Sequence, residues 1–323
     1  MLILNCWKTI SQEGNGLGKI VASNEEMIDS KNKGKNKKKF STKKVAPYMF
    51  LLPIIIIFAI FTLYPVINSF ILSFYEFKGG EYFFVGLDNY MRLLEDTTFA
   101  KSLLNTLIYT IVQVPTMILL SLVLGSILNS AFLKFKGFFR LSFFLPVVVS
   151  MVAYSVMFKL LLNTDYGIVN ILLESIGIDK VAWLDGEFTS KLAIILGVTW
   201  RWTGYNTVIV LAGLQGISEE VYEAARIDGA NAVQRFFKIT VPLLKPIILF
   251  IAITSTIGTL QLFDESFIIT GGGPNNATIS ISHLLFNTAF RSFDFGYASA
   301  MSYVLVILMG ILSFIQFKIN KEK

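Results

Sequence analysis

The sequence has almost none of the residues that build metal and redox centres. It contains one cysteine, Cys6, and one histidine, His283. A single cysteine excludes an internal disulfide, and one residue of each type cannot supply the cluster of Cys and His ligands that zinc needs. We therefore expect no metal and no cofactor, with Cys6 and His283 as bystanders.

A nucleotide-hydrolysing motif is also missing. No stretch of the chain matches the G-x-x-x-x-G-K-[ST] loop, whose backbone N–H groups cradle phosphates. The chain is therefore not expected to be an enzyme, and any ATP hydrolysis is expected on a separate subunit. It also lacks a clear repeat of two related halves, which complete secondary transporters commonly carry.

Charged residues are scarce, at 15% of the chain, whereas hydrophobic residues reach 54% and the mean hydropathy is +0.63. Soluble domains are about 45–50% apolar and about 25% charged. The composition therefore indicates that a lipid bilayer is the main solvent of this protein.

Much of the net charge of +6 lies in an N-terminal tail with eight lysines between Lys31 and Lys44. Residues 1–44 have few apolar runs, so we predict that they are disordered. A basic run can bind nucleic acid, but the apolar segments behind this one favour attraction to the anionic cytoplasmic leaflet instead. The sequence leaves open whether Met1 or Met27 is the true start.

Six segments are long and apolar enough to cross a bilayer, which takes about 20 residues of helix. They cover approximately residues 48–74, 103–129, 141–162, 192–214, 247–270 and 297–317. Prolines inside them, such as Pro115 and Pro146, are tolerated in membrane bundles. The predicted fold is an all-α integral membrane protein, with residues 45–323 forming one transmembrane domain of six helices.

Lysine and arginine are concentrated on one side of these segments. The basic regions are the N-terminal tail, the second-to-third and fourth-to-fifth connections and the C-terminus, whereas the other connections are acidic or nearly neutral. Because cytoplasmic loops carry the excess of Lys and Arg, we predict a multi-pass protein of the cytoplasmic membrane with both termini inside. Gly229 is then cytoplasmic, and Asp88, Asp185 and Asn275 are external.

The fourth-to-fifth connection is predicted to form two short amphipathic helices that meet at Gly229. Ser218 is a candidate N-cap, and Glu219 and Glu220 suit the first helical turn because the helix dipole favours negative charge there. Asn231 can cap the second helix. An apolar side is predicted for the first helix, made by Val221, Ala224, Ala225 and Ile227.

This connection resembles the E-A-A-x-x-D-G-A…F-x-x-I-x-x-P-x-L-x-P loop of sugar-type ABC importer permeases. The matching residues are Glu223, Ala224, Ala225, Asp228, Gly229, Ala230, Phe236, Ile239, Pro242, Leu244 and Pro246. Further segments that look like the same family are 64–65, 69–70, 84–90, 105–106, 270–274 and 296–300. The resemblance extends over most of the chain and leaves out the basic tail.

In that family the loop forms a coupling helix that inserts into a cleft of the ATP-hydrolysing subunit. The resemblance therefore implies that Glu223, Ala224, Ala225, Asp228, Gly229 and Ala230 contact an ATPase. It also implies a second permease subunit, two ATP-binding subunits and an extracellular solute-binding protein as partners. The implied activity is alternating access for a sugar or oligosaccharide, with this chain forming half of the pathway.

Polar residues inside membrane segments are costly and mark candidate functional sites. The candidates for the substrate pathway are Trp200, Arg201, Trp202, Tyr205, Asn206, Gln261 and Asp264, with Glu265 beside them. Aromatic faces next to hydrogen-bonding groups suit sugars. Two alternatives stay open: the tryptophans form an interfacial belt, and Arg201 forms a structural ion pair, with Asp264 as the predicted partner.

Two other functions remain open at this point. Related permeases that share the loop import glycerol phosphate or another polyol, and cationic residues along the pathway would favour such a substrate. A membrane receptor or scaffold could also have six spans, but it would have no reason to carry the coupling loop. The sequence does not identify the sugar or the partner subunits.

Overall fold

The first apolar segment is helical, as predicted. In the computed structural model, which describes residues 42–130 and 133–321, α1 (Thr42–Phe58) continues through a π-helical turn (Ala59–Leu63) into α2 (Tyr64–Leu72). Residues 1–41 of the predicted tail, with Cys6 and Met27, lie outside the described residues. The chain divides between Val66 and Ile67 into two compact units.

Helices make up most of the second unit. They are α3 (Asp88–Glu95), α4 (Thr97–Asn129), α5 (Lys136–Val148), α6 (Met151–Leu161), α7 (Ile168–Ser175), α8 (Glu187–Gln215), α9 (Glu219–Ile227), α10 (Ala232–Arg235), α11 (Val241–Leu243), α12 (Lys245–Leu260), α13 (Ile281–Phe290) and α14 (Phe295–Lys321), with π-helical turns at Phe236–Thr240 and Glu265–Ile269.

A β-hairpin corrects the all-α prediction. Strands β1 (Tyr75–Lys78) and β2 (Glu81–Phe84) pair in antiparallel fashion. Gly79 and Gly80 make the turn with φ of 61° and 94°. Two-residue hairpin turns of this kind need positive φ, which glycine adopts without a steric penalty. The hairpin is rich in aromatic residues, which also favour strands.

The candidate membrane spans differ from the six straight helices that the sequence predicts. Among the described residues, Tyr48–Leu72, Thr97–Asn129 and Phe295–Asn320 are each long and apolar enough to cross a bilayer, and two bent helix pairs raise the number to at most five. Helix α8, the predicted fourth span, does not pass this test of length and composition. The count of six therefore stays a prediction.

Two predicted spans are interrupted. The third breaks between α5 and α6, which are bent by 98°, and the fifth ends as a regular helix at Leu260. Pro146 lies inside α5 just before the first break. A proline removes one intrahelical hydrogen bond and crowds the preceding turn, which makes a bend there less costly.

The helices pack through small residues and buried apolar clusters. One cluster joins α4, α8 and α12 through Leu122, Val210 and Ile251. At Gly204 the backbone of α8 lies so close to α5 that a Cβ would overlap the Phe143 carbonyl oxygen. Such close approach is typical of membrane helices, whose association depends on packing and not on the exclusion of water.

A polar network ties α3, α4 and α14 together at one end of the bundle. Asp96 caps α4 by accepting hydrogen bonds from the Thr98 and Phe99 amides, and Tyr297 donates to its second oxygen at 2.7 Å. Arg92 pairs with Asp294 at 2.7 Å. Burial opposes the charge of Asp96, but the hydrogen bond from Tyr297 and those from the backbone outweigh burial and lower the pKa of this carboxyl.

We expect Gly204→Ala to destabilise the bundle by about 1–3 kcal/mol, because the added methyl group forces α5 and α8 apart. Gly310→Ala is the matched control, since no atom lies within 4 Å of its Cβ position and α14 is regular there. Thermal unfolding of the purified variants measures the difference. Equal melting temperatures for the two variants would contradict this close contact.

Candidate functional site

The bend between α5 and α6 is closed by Arg201 from α8. Its guanidinium donates to the carbonyl oxygens of Pro146, Val147 and Val149 at 3.1, 3.2 and 2.8 Å. The last carbonyls of a helix have no intrahelical donor, and a cation beside them also interacts favourably with the helix dipole. Arg201 is 4% exposed, so it supplies these hydrogen bonds inside the protein.

The predicted ion pair between Arg201 and Asp264 is wrong. Within the described part of the chain, the hydrogen bonds of Arg201 go to the three carbonyls of the bend, and Asp264 forms no hydrogen bond or ion pair. The depths of two side chains along their helices do not fix the direction in which each one points. Arg201 points toward α5, whereas Asp264 lines a cavity elsewhere.

Glu265 is a buried acid for which the sequence predicted no partner. Glu265 is 4% exposed and accepts a hydrogen bond of 2.5 Å from the Tyr154 hydroxyl of α6. The guanidinium carbon of Arg201 lies 4.7 Å from the centre of the Tyr154 ring. Tyr154 therefore connects the cation at the bend with the carboxylate at the start of the π-helical turn.

A cavity of about 270 Å³ lies between α4, α8 and the end of α12. Five of the seven residues predicted for the substrate pathway line it: Trp202, Tyr205, Asn206, Gln261 and Asp264. Glu265 lines it as well. The rings of Trp202 and Tyr205 meet edge to face with centres 5.9 Å apart. This wall combines an aromatic surface with amide and carboxylate groups.

Trp200 and Arg201 are not in the cavity wall. Trp200 packs against Tyr154 and Phe158, with ring centres 6.5 and 5.4 Å apart, and is 46% exposed. Residues three and four positions apart share one face of a helix, as Trp202, Tyr205 and Asn206 do on α8. The geometry separates Trp202, Tyr205 and Asn206 from the two residues that precede them.

Two buried amides share one weak acceptor beside the cavity. Gln113 of α4 and Asn206 both direct a side-chain N–H toward the Met117 sulfur, at 3.2 and 3.1 Å, and Asn206 also donates to the Ser255 hydroxyl at 3.5 Å. Gln113 also accepts from the Thr259 hydroxyl at 2.8 Å. A thioether is a poor acceptor, so a ligand hydroxyl would be a better partner for these amides. Gln113 was missed from the sequence, although a glutamine in a membrane segment is a signal.

The wall of the cavity contains acidic side chains and, among the described residues, no basic ones. Asp264 and Glu265 lie in its wall, and the described lining includes no lysine, arginine or histidine. His283 belongs to a separate cluster, where its Nδ1 lies 2.9 Å from the Ser266 hydroxyl. Burial, with Arg291 nearby, lowers the pKa of His283 to about 4, so the ring is neutral at pH 7.

The connection between α8 and α12 has the two predicted helices. Ser218 caps α9 by accepting from the Glu220 amide, which confirms its predicted role. Gly229 has a φ of 78°, and the Ala230 amide returns to the Ala225 carbonyl at 2.9 Å. Glycine suits such a helix end because it has no Cβ. Asn231 caps α10, as predicted, in a reciprocal pair with Gln234.

The predicted apolar side of α9 is mostly uncovered. Ala225 is buried, but Val221 and Ala224 are exposed and Ile227 is 87% exposed. Phe237 and Val233 nearby are also exposed, at 61% and 64%. The carboxylate of Glu223 is exposed and has no hydrogen bond or ion pair with the described residues.

We expect Arg201→Gln to lower the free energy of unfolding by about 3 kcal/mol, because buried carbonyls at the bend lose their donors. Asp264→Asn should change it by less than about 0.5 kcal/mol. Thermal unfolding of the two variants and of the double variant tests the assignment. Recovery of stability in the double variant would contradict the assignment of Arg201 to the bend and would support an ion pair between Arg201 and Asp264 in the parent protein.

Comparison with known proteins places this chain among transport proteins. Residues 97–321 match the family model described as "binding-protein-dependent transport system inner membrane component". The chain is similar to the lactose transport system permease protein LacF of Rhizobium radiobacter, with 46% identity over 85% of this chain and 94% of the relative. It is 36% identical to the arabinooligosaccharides transport system permease protein AraP of Bacillus subtilis, over 87% and 90%.

The fold is also similar to a crystal structure. A chain of a bacterial ABC transporter involved in the import of the acidic polysaccharide alginate aligns with a TM-score of 0.77 at 22% identity, over 87% of this chain and 97% of that chain. The family model covers well over half of this sequence. The alignment with the lactose permease covers nearly the full length of that relative. The chain therefore belongs to the family of binding-protein-dependent transport system inner membrane components, which confirms the family predicted from its sequence.

Proposed function

We propose that this chain forms half of the pathway through which an ATP-driven importer moves a neutral sugar or oligosaccharide. The observation that supports this proposal best is the cavity wall, where Trp202 and Tyr205 lie beside Asn206 and Gln113. Sugar rings pack their C–H faces on aromatic rings while their hydroxyls need amide partners. The names of the relatives, which include lactose and arabinooligosaccharide permeases, agree with this substrate class.

Glycerol phosphate is the less favourable substrate. An anion in this cavity would approach the carboxylate of Asp264, and the described lining contains no lysine, arginine or histidine. Two like charges about 4 Å apart repel by about 4 kcal/mol at the effective dielectric constant near a protein surface. A receptor or scaffold without transport is not favoured either, because the family is a transport family.

We expect Asn206→Leu to lower lactose-stimulated ATP hydrolysis by about tenfold, which corresponds to one hydrogen bond of about 1.4 kcal/mol. The assay uses the reconstituted complex with its solute-binding protein. Trp200→Phe is the matched control, because Trp200 lies on the same helix but outside the cavity wall. Lactose, arabino-oligosaccharides and glycerol 3-phosphate are compared as substrates. Stimulation by glycerol 3-phosphate alone would contradict the proposed substrate class.

The connection from α9 to α10 is proposed to couple this chain to an ATPase subunit. Its carboxylate at Glu223 has no partner within the described chain, and its apolar residues Ile227, Val233 and Phe237 are exposed. A partner cleft could cover the apolar side chains and supply a cation for Glu223. Asp228, Gly229 and Ala230 set the angle between the helices, and Ala224 and Ala225 keep that part of α9 narrow.

The remaining partners follow from the same proposal. A second permease subunit would complete the pathway, two ATP-binding subunits would supply the energy, and an extracellular solute-binding protein would deliver the sugar. In this proposal, α9 and both chain termini lie on the cytoplasmic side. Another solved structure shows a bacterial alginate ABC transporter in complex with a periplasmic protein that has bound an alginate pentasaccharide.

We expect Glu223→Lys to reduce substrate-stimulated ATP hydrolysis by about tenfold without lowering the amount of folded protein, because it reverses a charge that docking desolvates. Gly229→Asp should be at least as damaging, since φ of 78° strains a residue with a side chain. Glu220→Lys is the control, because it makes the same charge change at another exposed position of α9. Membrane abundance and ATPase retention are measured together with hydrolysis. Normal assembly and transport in both test variants would refute the coupling role.

A further inference from the structure

The hairpin between α2 and α3 has one face made of aromatic rings. Side chains alternate along a strand, and the register pairs Tyr75 with Phe84 and Phe77 with Tyr82. The ring centres of these pairs lie 5.4 and 4.9 Å apart. We call these four residues the aromatic face.

The opposite face of the hairpin is charged. It carries Glu76, Lys78 and Glu81, together with Phe83, which is opposite Glu76 in the register. Lys78 and Glu76 form an ion pair of 2.8 Å. The hairpin is therefore amphipathic, and its two faces suit two different solvents.

Three residues of the aromatic face are exposed within the described chain, and the fourth, Tyr75, is half-buried. Phe84 is 71% exposed, Tyr82 is 48% exposed and Phe77 is 37% exposed. An aromatic side chain buries about 150–250 Å² when it is fully covered. The four rings thus offer a few hundred Å², which is well below the about 800 Å² per partner of a stable protein complex.

The base of the hairpin is held at the ends of two apolar helices. Only Ser73 and Phe74 separate Tyr75 from Leu72, where a candidate membrane span ends. Asn89 donates to the carbonyls of Ser73 and Tyr75 at 2.9 Å each. The Tyr75 carbonyl also packs against Gly296, in the first turn of α14, so closely that a Cβ there would overlap it. The base of the hairpin therefore lies at one end of each of two apolar helices.

We propose that the aromatic face lies against lipid, in the headgroup region of the outer leaflet, and fixes the depth of α2 and α14. Tyrosine side chains suit this region because the ring is apolar and the hydroxyl is polar, and aromatic residues are enriched where spans leave the hydrocarbon. The charged face then points to water. A second protein is the less favourable occupant, because the face is small and offers two hydroxyls as its side-chain hydrogen-bonding groups.

The test places a tryptophan on each face of the hairpin in the complete transporter. Phe84→Trp reports on the aromatic face, and Glu81→Trp is the matched control on the charged face of the same strand. The complex is reconstituted in vesicles of phosphatidylglycerol and phosphatidylcholine, with the phosphatidylcholine either plain or brominated near the top of its acyl chains. The fluorescence of the parent complex is subtracted, which removes the native tryptophans.

We expect brominated lipid to quench the Phe84→Trp signal at least about twofold more than the Glu81→Trp signal, because only the aromatic face contacts lipid. Tyr82→Trp gives a second reading of the aromatic face and decides the question if Phe84→Trp reduces assembly. Equal quenching on the two faces would overturn the proposal. So would an emission shift of Phe84→Trp that depends on added solute-binding protein and not on the lipid, since the occupant would then be that protein.

Discussion

The hydrogen bonds from Arg201 to the bend between α5 and α6 hold in place several residues that surround the cavity. A membrane helix that breaks must find new partners for its carbonyls, and a buried guanidinium supplies several donors from one side chain. The bend sets the direction of α6, which carries Met151 and Tyr154. Met151 lines the cavity, and Tyr154 holds Glu265 in the cavity wall. Arg201, which is outside the cavity wall and whose guanidinium lies 5.9 Å from the centre of the Trp202 ring, thereby positions two residues of that wall.

The side-chain amides of the cavity wall are fixed in position, but some of their N–H groups have only weak hydrogen-bond acceptors. Gln113 is fixed by Thr259, yet its N–H and that of Asn206 share the Met117 sulfur. Pre-positioned donors with weak partners cost little to redirect toward a ligand hydroxyl. The same wall contains two acidic side chains and, among the described residues, no basic one, which agrees with the proposal of a neutral substrate.

Helices α8 and α12 connect the cavity with the exposed loop. Trp202, Tyr205 and Asn206 lie in the middle of α8, which ends at Gln215, and Ser218 caps α9 three residues later. Helix α12 begins at Lys245 after that loop and reaches the cavity at its other end. Leu214, Leu244 and Ile251 pack together where the two helices leave the loop. The exposed loop and both helices are therefore joined by one packed contact.

The sequence by itself determined the family, the helical class, the capped two-helix loop and five residues of the cavity wall. These features depend on local patterns, namely apolar length, capping residues, a glycine with positive φ and polar side chains in apolar segments. Only the tertiary structure decided that Arg201 binds the bend and not Asp264, that Gln113 belongs to the cavity and that Trp200 does not. It also revealed the hairpin after α2. Those features depend on which face of each helix meets which neighbour, and that is set by the packing of segments far apart in the sequence.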